Sequence, residues 1–252
     1  MFNALILAGQ RSSADPVARM HNQTHKALVP IENKAMLRHV GETIQKLHGL
    51  QNLYVMSERA DLLEQASLVN GQLLDTGPSP AASLAKALGI IGLRIPLLVT
   101  TADHPLLTKE MIDHLLHNTP QDCDLAVALA PADLVLKSYP GAIRTYYRFR
   151  DKAVSGCNLF LVRQPDARKI VEFWLQMEKA RKKPWRIALK IGLPVLLRYA
   201  LGLLSLEQAF THVSKLTGTK IAPILMPYAE AAIDVDKPED LLLVQRILKS
   251  RH

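Results

Sequence analysis

Cations follow the first apolar run of this sequence, and aspartates follow two later ones. Ala4-Leu5-Ile6-Leu7-Ala8 stops at Gly9 and gives way to a polar loop carrying Arg11, Arg19 and Lys26. Glycine lets backbone N–H groups approach an anion and the cations offset its charge, so the pattern suits a polyphosphate. An ordinary first strand followed by a solvated loop is the plainer reading. Leu97–Thr101 is a second apolar run; it leads to Asp103 and then Pro105, which cannot extend a strand. An aspartate there projects a hard oxygen ligand into the crevice beyond the strand, and Mg²⁺ on a polyphosphate uses one or two such carboxylates. Asp234 and Asp236 alternate with Ile233 and Val235, which puts both carboxylates on one face of a short strand. Asp236 can equally cap a helix beginning with Pro238, Glu239 and Asp240.

Two smaller groups join these. Gly77-Pro78-Ser79 opens a helix that contains Ser83, and such an N-terminus with hydroxyls can accept an anion, frame a base or simply cap itself. In Ser155-Gly156-Cys157-Asn158, Gly156 allows close approach of a substrate while Asn158 can donate and accept hydrogen bonds, or the turn is only a tight lead-in to a strand. Just before it, Arg144, Arg148 and Arg150 with Tyr146 and Tyr147 form a basic-aromatic patch that suits an acceptor phosphate or a solvated hairpin. His104 reads as structural.

The elements that must position these residues alternate. Apolar β-type runs at 52–56, 97–100, 124–130, 158–162 and 221–226 are separated by helix-period stretches at 35–47, 60–66, 80–91, 109–117, 165–180, 205–216 and 238–249. That order implies βαβ crossovers and a mostly parallel sheet covered on both faces. The expectation is an α/β protein, one three-layer Rossmann-like domain over residues 1–252 with a helical insertion near 165–217, basic from about 181. Ligands collect at the carboxyl ends of strands in such sheets, where the polar groups above stand.

Hydrophobic residues make up 48% of the 252 and charged ones 21%, which is globular composition. Lys and Arg total 31 against 23 Asp and Glu, a net charge of +8 that favours anionic partners. Cys123 and Cys157 form no disulfide framework and no metal-type pair, so the cytoplasm is the expected compartment. The first apolar run lacks a basic region before it and is too short for a signal segment, which argues against export. No G-x-x-x-x-G-K-[ST] and no G-x-G-x-x-G after the first strand occur, which leaves a P-loop NTPase and a dinucleotide fold unsupported.

Taken together, the motifs resemble the MobA-like nucleotidyltransferases, among them sugar-phosphate and molybdopterin guanylyl- and cytidylyltransferases. Leu7-Ala8-Gly9, Arg19-Met20 and Lys26 follow that family's L-x-A-G-G-x-x-x-R-M opening and its later lysine, with Gln10 at the second glycine and a longer loop, so Arg11 and Arg19 are both candidates for the triphosphate. Asp103-His104-Pro105-Leu106 follows its D-x-P-L element, and Ile233–Asp240 its C-terminal I-D-[VI]-D-x-P-E-D. The resemblance implies a GT-A-like fold and transfer of NMP from an NTP, GTP or CTP, to a phosphorylated acceptor with release of pyrophosphate. It implies Mg²⁺ held by Asp103, Asp236 and Asp234, and catalysis by Lys26 with Arg11 or Arg19. It further implies nucleotide contacts from Leu7, Ala8, Gly9, Gln10, Gly77, Pro78, Ser79 and Ser83, acceptor contacts from Gly156 and Asn158, and no nucleic-acid partner. A GT-A-type glycosyltransferase using a sugar nucleotide, or a non-catalytic nucleotide- or membrane-binding protein on the same scaffold, are the alternatives.

Arg181–Leu204 stands outside these motifs. It holds Arg181, Lys182, Lys183, Arg186, Lys190 and Arg198 beside Trp185 and a run of leucines, with no acidic residue. Charge and Pro194 interrupt it too often for a spanning helix. Either its apolar faces pack on the sheet or on a second copy in a homodimer, or it lies in the plane of an anionic membrane as a peripheral contact at the inner surface.

Overall fold

The computed structural model describes residues 1–10, 15–180 and 183–251. Its strands are β1 (Phe2–Leu7), β2 (Pro30–Ile31), β3 (Lys34–Ala35), β4 (Leu50–Met56), β5 (Gly71–Leu74), β6 (Leu97–Thr101), β7 (Leu125–Pro131), β8 (Tyr147–Arg148), β9 (Ala153–Val162) and β10 (Ile221–Leu225). The helices are α1 (Pro16–Met20), α2 (Met36–Gln45), α3 (Leu62–Gln65), α4 (Pro80–Ile91), α5 (Lys109–Asn118) and α6 (Ala132–Ser138), then α7 (Ala167–Ala180), α8 (Pro184–Ile191), α9 (Leu193–Ala200), α10 (Leu206–Thr217) and α11 (Pro238–Ser250).

Eight strands form one sheet in the order β10-β7-β9-β6-β1-β4-β5, with β8 paired to β9. β1 is central because it is apolar on both faces: Ala4 and Ile6 join the core beneath α2 and α5, while Leu5 joins the core beneath α4 and α7. β1 pairs in parallel with β4 and β6, β4 with β5, and β7 with β10. β9 runs antiparallel between β6 and β7. The expected α/β architecture, a mostly parallel sheet between helical layers, is present.

Boundaries depart from the sequence expectation where tertiary pairing overrides local pattern. β9 begins at Ala153, five residues before the expected run, because Val154, Ser155 and Gly156 in its first half still pair with β7. The edge strand β5 is only half-buried and carries no apolar periodicity to betray it. Asp15-Pro16 opens α1, with Asp15 Oδ1 accepting from the N–H groups of Val17 and Ala18 at 2.9 and 3.0 Å. Ile233–Asp236 belongs to no ladder; its backbone is pinned by the Val235 N–H donating to the Asp103 carbonyl at 2.8 Å.

Between β9 and β10 lie α7 to α10. α7 buries Ala167, Ile170 and Val171 on the sheet, whereas α9 buries no residue and Leu189, Leu193, Leu197 and Leu201 face outward. Packing of this apolar stretch on the sheet is therefore not what the fold does with it. Among the described residues no helix is long and apolar enough to cross a membrane.

This contrast is measurable. Leu98 in β6 is fully buried, so Leu98→Ala should cost about 2–5 kcal/mol in a denaturant titration, while Leu189→Ala should stay within about 0.5 kcal/mol.

Candidate active site

The carboxyl ends of β1, β4, β5 and β6 open on a cleft of about 1140 Å³. On the β1 side the chain past Gly9 is tied back on itself. The Gln10 side-chain oxygen accepts the Lys26 N–H at 2.7 Å, and the Gln10 N–H points at the Glu58 carboxylate, 3.2 Å from one oxygen and 3.3 Å from the other. His25 is buried and its Nδ1 accepts the Ala27 N–H at 3.1 Å, which leaves Nε2 to carry the proton toward Glu58 at 3.2 Å. Burial lowers the His25 pKa against the pull of Glu58, which favours the neutral ring that accepts the Ala27 N–H. Lys26 is thus aimed from both sides.

Its ammonium lies between two carboxylates, 2.7 Å from Asp103 Oδ2 and 3.2 Å from Asp236 Oδ1. Burial opposes the charge on Lys26, yet the two aspartates hold its pKa above the usual lysine value. Burial likewise opposes the charge on Asp103, and Lys26 outweighs it, so that carboxyl stays below the usual range. The two contacts are unequal: the Lys26 and Asp103 side chains are 17% and 22% exposed, whereas Asp236 is 60% exposed. Exposed pairs are worth about 0–1 kcal/mol, so the Asp236 contact is the one that yields first.

Asp234 stands on the inner side of the same segment. Asn158 Nδ2 donates to its Oδ2 at 2.8 Å, and Arg144 pairs with its Oδ1 at 3.1 Å. Burial, then the charges of Asp103 and Asp236, push its pKa up to about 7 despite Arg144. Arg144 also donates to the Asp234 carbonyl and to Asp240 Oδ1, both at 2.9 Å, and Asp240 Oδ2 accepts the N–H groups of Asp236 and Lys237 at 3.1 and 2.9 Å. Asp240, not Asp236, therefore serves the start of α11. Asn158 reaches Asp234 from a bulge, because the β7–β9 register jumps between Val127–Phe160 and Leu129–Gly156, and its φ is +46°. A left-handed asparagine inside a strand is a strained conformation that the surrounding pairing must hold.

Across the cleft, Gly77 is fixed by close approach: a Cβ there would lie 2.7 Å from the Ala82 carbonyl carbon and 2.8 Å from the Ser83 N. Its N–H donates to Ser83 Oγ at 2.9 Å, and Ser79 Oγ caps α4 through the Ala82 N–H at 3.2 Å. Phe160 and Trp174, ring centroids 6.2 Å apart, close the remaining side.

Leu7, Ala8, Gly9, Gln10, Lys26, Gly77, Pro78, Ser79, Ser83, Asp103, Asn158, Asp234 and Asp236 all line this one cleft. Arg19 does not; it is exposed on α1. Arg11 lies outside the described residues. Gly156 is exposed beyond the lining, and a Cβ there would meet no protein atom within 4 Å. Arg144 is not part of a solvated hairpin, since its side chain is 7% exposed and paired with Asp234 and Asp240. Among the described residues no group of three or more His, Cys, Asp or Glu is gathered closely enough to hold a metal unaided. Sequence reasoning missed His25, Trp174 and the inward role of Glu58, whose only signal was its place just after β4. Buried His104, its pKa lowered to about 4 by desolvation, is neutral and offers no charge to a phosphate.

The MobA-like NTP transferase domain matches the chain over residues 4–213. The chain belongs to that family. The MobA-like match runs through 181–204, which the motifs alone left uncovered, and stops before Asp234 and Asp236, which the fold itself brings to the cleft. Solved structures similar to this MobA-like chain include a hypothetical transferase from Thermus thermophilus, 29% identical, with a TM-score of 0.79 over 95% of this chain and 98% of that one. CMP:2-keto-3-deoxy-manno-octonic acid synthetase complexed with CTP is 14% identical, with a TM-score of 0.64 over 100% and 99%. 4-Diphosphocytidyl-2C-methyl-D-erythritol synthase from Anaerococcus prevotii is 10% identical, with a TM-score of 0.60 over 98% and 96%; these last two share the fold. No curated protein matches significantly in sequence.

The Arg144 clamp is testable by stability. Its side chain is 7% exposed and that of Asp240 10%, so Arg144→Met strands a buried carboxylate and should cost about 3–5 kcal/mol by chemical denaturation at neutral pH.

Proposed function

We propose that this protein transfers NMP from an NTP, GTP or CTP, to a phosphorylated acceptor and releases pyrophosphate, with Mg²⁺ as cofactor. The observation that carries the reading is the Lys26 ammonium held between Asp103 and Asp236 at the mouth of the glycine loop. CMP:2-keto-3-deoxy-manno-octonic acid synthetase, which shares this fold, was solved complexed with CTP, and that supports the reading. A cytoplasmic location, where NTPs are made, goes with the same reading.

The cleft fits a divalent cation brought in with a nucleotide. Six carboxylates line it, from Asp15, Glu58, Asp75, Asp103, Asp234 and Asp236, against the ammoniums of Lys26 and Lys86 among the described residues. Asp103 Oδ1 is buried without a hydrogen-bond partner. Mg²⁺ keeps several waters and takes one or two carboxylates plus phosphate oxygens, so Asp103 and Asp236 suffice, with Asp234 behind them. Bound there, the ion would neutralise phosphate charge between the two substrates.

The chain's own groups then have defined work. Lys26 leaves its weaker partner Asp236 and turns to the departing pyrophosphate, which frees a carboxylate oxygen as it supplies a charge. The acceptor phosphate is already an anion, so no strong general base is required, and catalysis rests on positioning and charge stabilisation. Asn158, fixed by its backbone and by Asp234, is aimed at the acceptor side. Gly77 and Ser79 keep the loop before α4 in register for the base.

Removing one preorganised charge contact typically costs on the order of 10²–10³ in rate. Pyrophosphate release from a panel of NTPs with phosphorylated acceptors should therefore be Mg²⁺-dependent, and Lys26→Ala should fold normally and lose most of it. Full turnover in that variant would remove the mechanism. Activity with a sugar nucleotide and no pyrophosphate release would instead favour a glycosyltransferase.

A further inference from the structure

The positive charge of this protein is not spread over it. Residues 179–206 contain seven Lys or Arg and no Asp or Glu, so the remaining chain carries 24 basic against 23 acidic residues and is nearly neutral. α8 and α9 lie within that span and present the largest group of exposed leucines. Leu193, Leu197 and Leu201 recur at four-residue intervals on one face of α9 and just past its end, 61%, 52% and 70% exposed. On α8, Trp185 and Leu189 repeat the same interval at 58% and 75%. Lys183, Lys190 and Arg198 are exposed beside them.

The fold holds this face out rather than letting it collapse. The opposite sides of the two helices are anchored: Tyr199 packs edge-on against Phe149 with centroids 5.5 Å apart, and the Ile191 carbonyl bonds the His212 ring at 2.7 Å. Arg198 donates to Gln208 Oε1 at 2.9 Å. Lys190 bonds Gln176, two residues from the Trp174 that lines the cleft, so the face is joined to the cleft's aromatic wall.

We propose that the α8–α9 face docks this protein on an anionic lipid bilayer, with the leucines and Trp185 in the interfacial region and the cations at the headgroups. Apolar stripes edged by cations and free of carboxylates are the chemistry of an in-plane interfacial helix. A second copy of the chain fits less well, because a two-fold contact would set Lys183, Lys190 and Arg198 against their own copies with no acidic residue in 179–206 to offset them. Nucleic acid has no use for the leucines. The proposal does not depend on what the cleft transfers, since its readout is sedimentation and not turnover.

The test is co-sedimentation of the full chain with vesicles of phosphatidylglycerol and phosphatidylcholine, and with vesicles of phosphatidylcholine alone. The protein pellets with the first and not the second, and salt releases it. Each cation near an anionic surface is worth about a fivefold factor, so Lys182→Glu, Lys183→Glu and Arg186→Glu together lower the affinity on the order of a hundredfold or more. Leu193→Ser, Leu197→Ser and Leu201→Ser also release it, with the melting transition of both variants confirming that they fold. Equal recovery in both supernatants overturns the proposal, as does binding that neither variant weakens. A dimer in solution that the serine variant dissolves, without vesicle binding, assigns the face to a second copy and overturns it as well.

Discussion

An ammonium caught between two carboxylates is the constraint around which the cleft is built. Lys26 reaches Asp103 and Asp236 only because three distant stretches converge: the turn after the glycine loop, the end of β6, and the segment before α11. Each has fastenings of its own besides Lys26. Gln10 and His25 hold the first, β6 is locked between β1 and β9, and the Val235 N–H with the Arg144–Asp240 pair holds the third. Unlike charges draw the stretches together, and the surplus of carboxylate that remains is what a cation-bearing nucleotide can neutralise.

The sequence revealed the site better than its supports. Lys26 and Asp103 were readable because each comes after an apolar strand, and a parallel sheet delivers such residues to one edge; Asp236 was readable from its alternation with Ile233 and Val235. Asn158 was readable from its turn, but not the bulge and left-handed backbone that aim it, since those depend on register with β7. Arg144 looked like a surface cation among other arginines; only the fold shows Asp234 and Asp240 beside it. The alternation of Ile233, Asp234, Val235 and Asp236 correctly separates buried from cleft-facing side chains, although the segment is no strand. Glu58, which meets the Gln10 N–H and His25, carries no pattern that a single sequence displays.

The most misleading stretch for sequence reasoning was 181–204, because leucine-rich helices ordinarily find a core. Here α7 already covers the sheet, so α8 and α9 are left with their apolar stripes outward and their cations beside them. Binding chemistry and surface chemistry are thereby divided: an acidic cleft at the strand ends, and a sequence span, 179–206, that holds nearly all of the net positive charge.

The central claim is that Lys26 exchanges its contact with Asp236 for phosphate when Mg²⁺–nucleotide enters. A crystal grown with Mn²⁺ in place of Mg²⁺ and a non-hydrolysable NTP analogue tests this directly. The account predicts an anomalous peak at Asp103 and Asp236, with the Lys26 ammonium on the phosphates. Nucleotide bound away from the glycine loop, or Lys26 still lodged between the two carboxylates with no metal there, would contradict it.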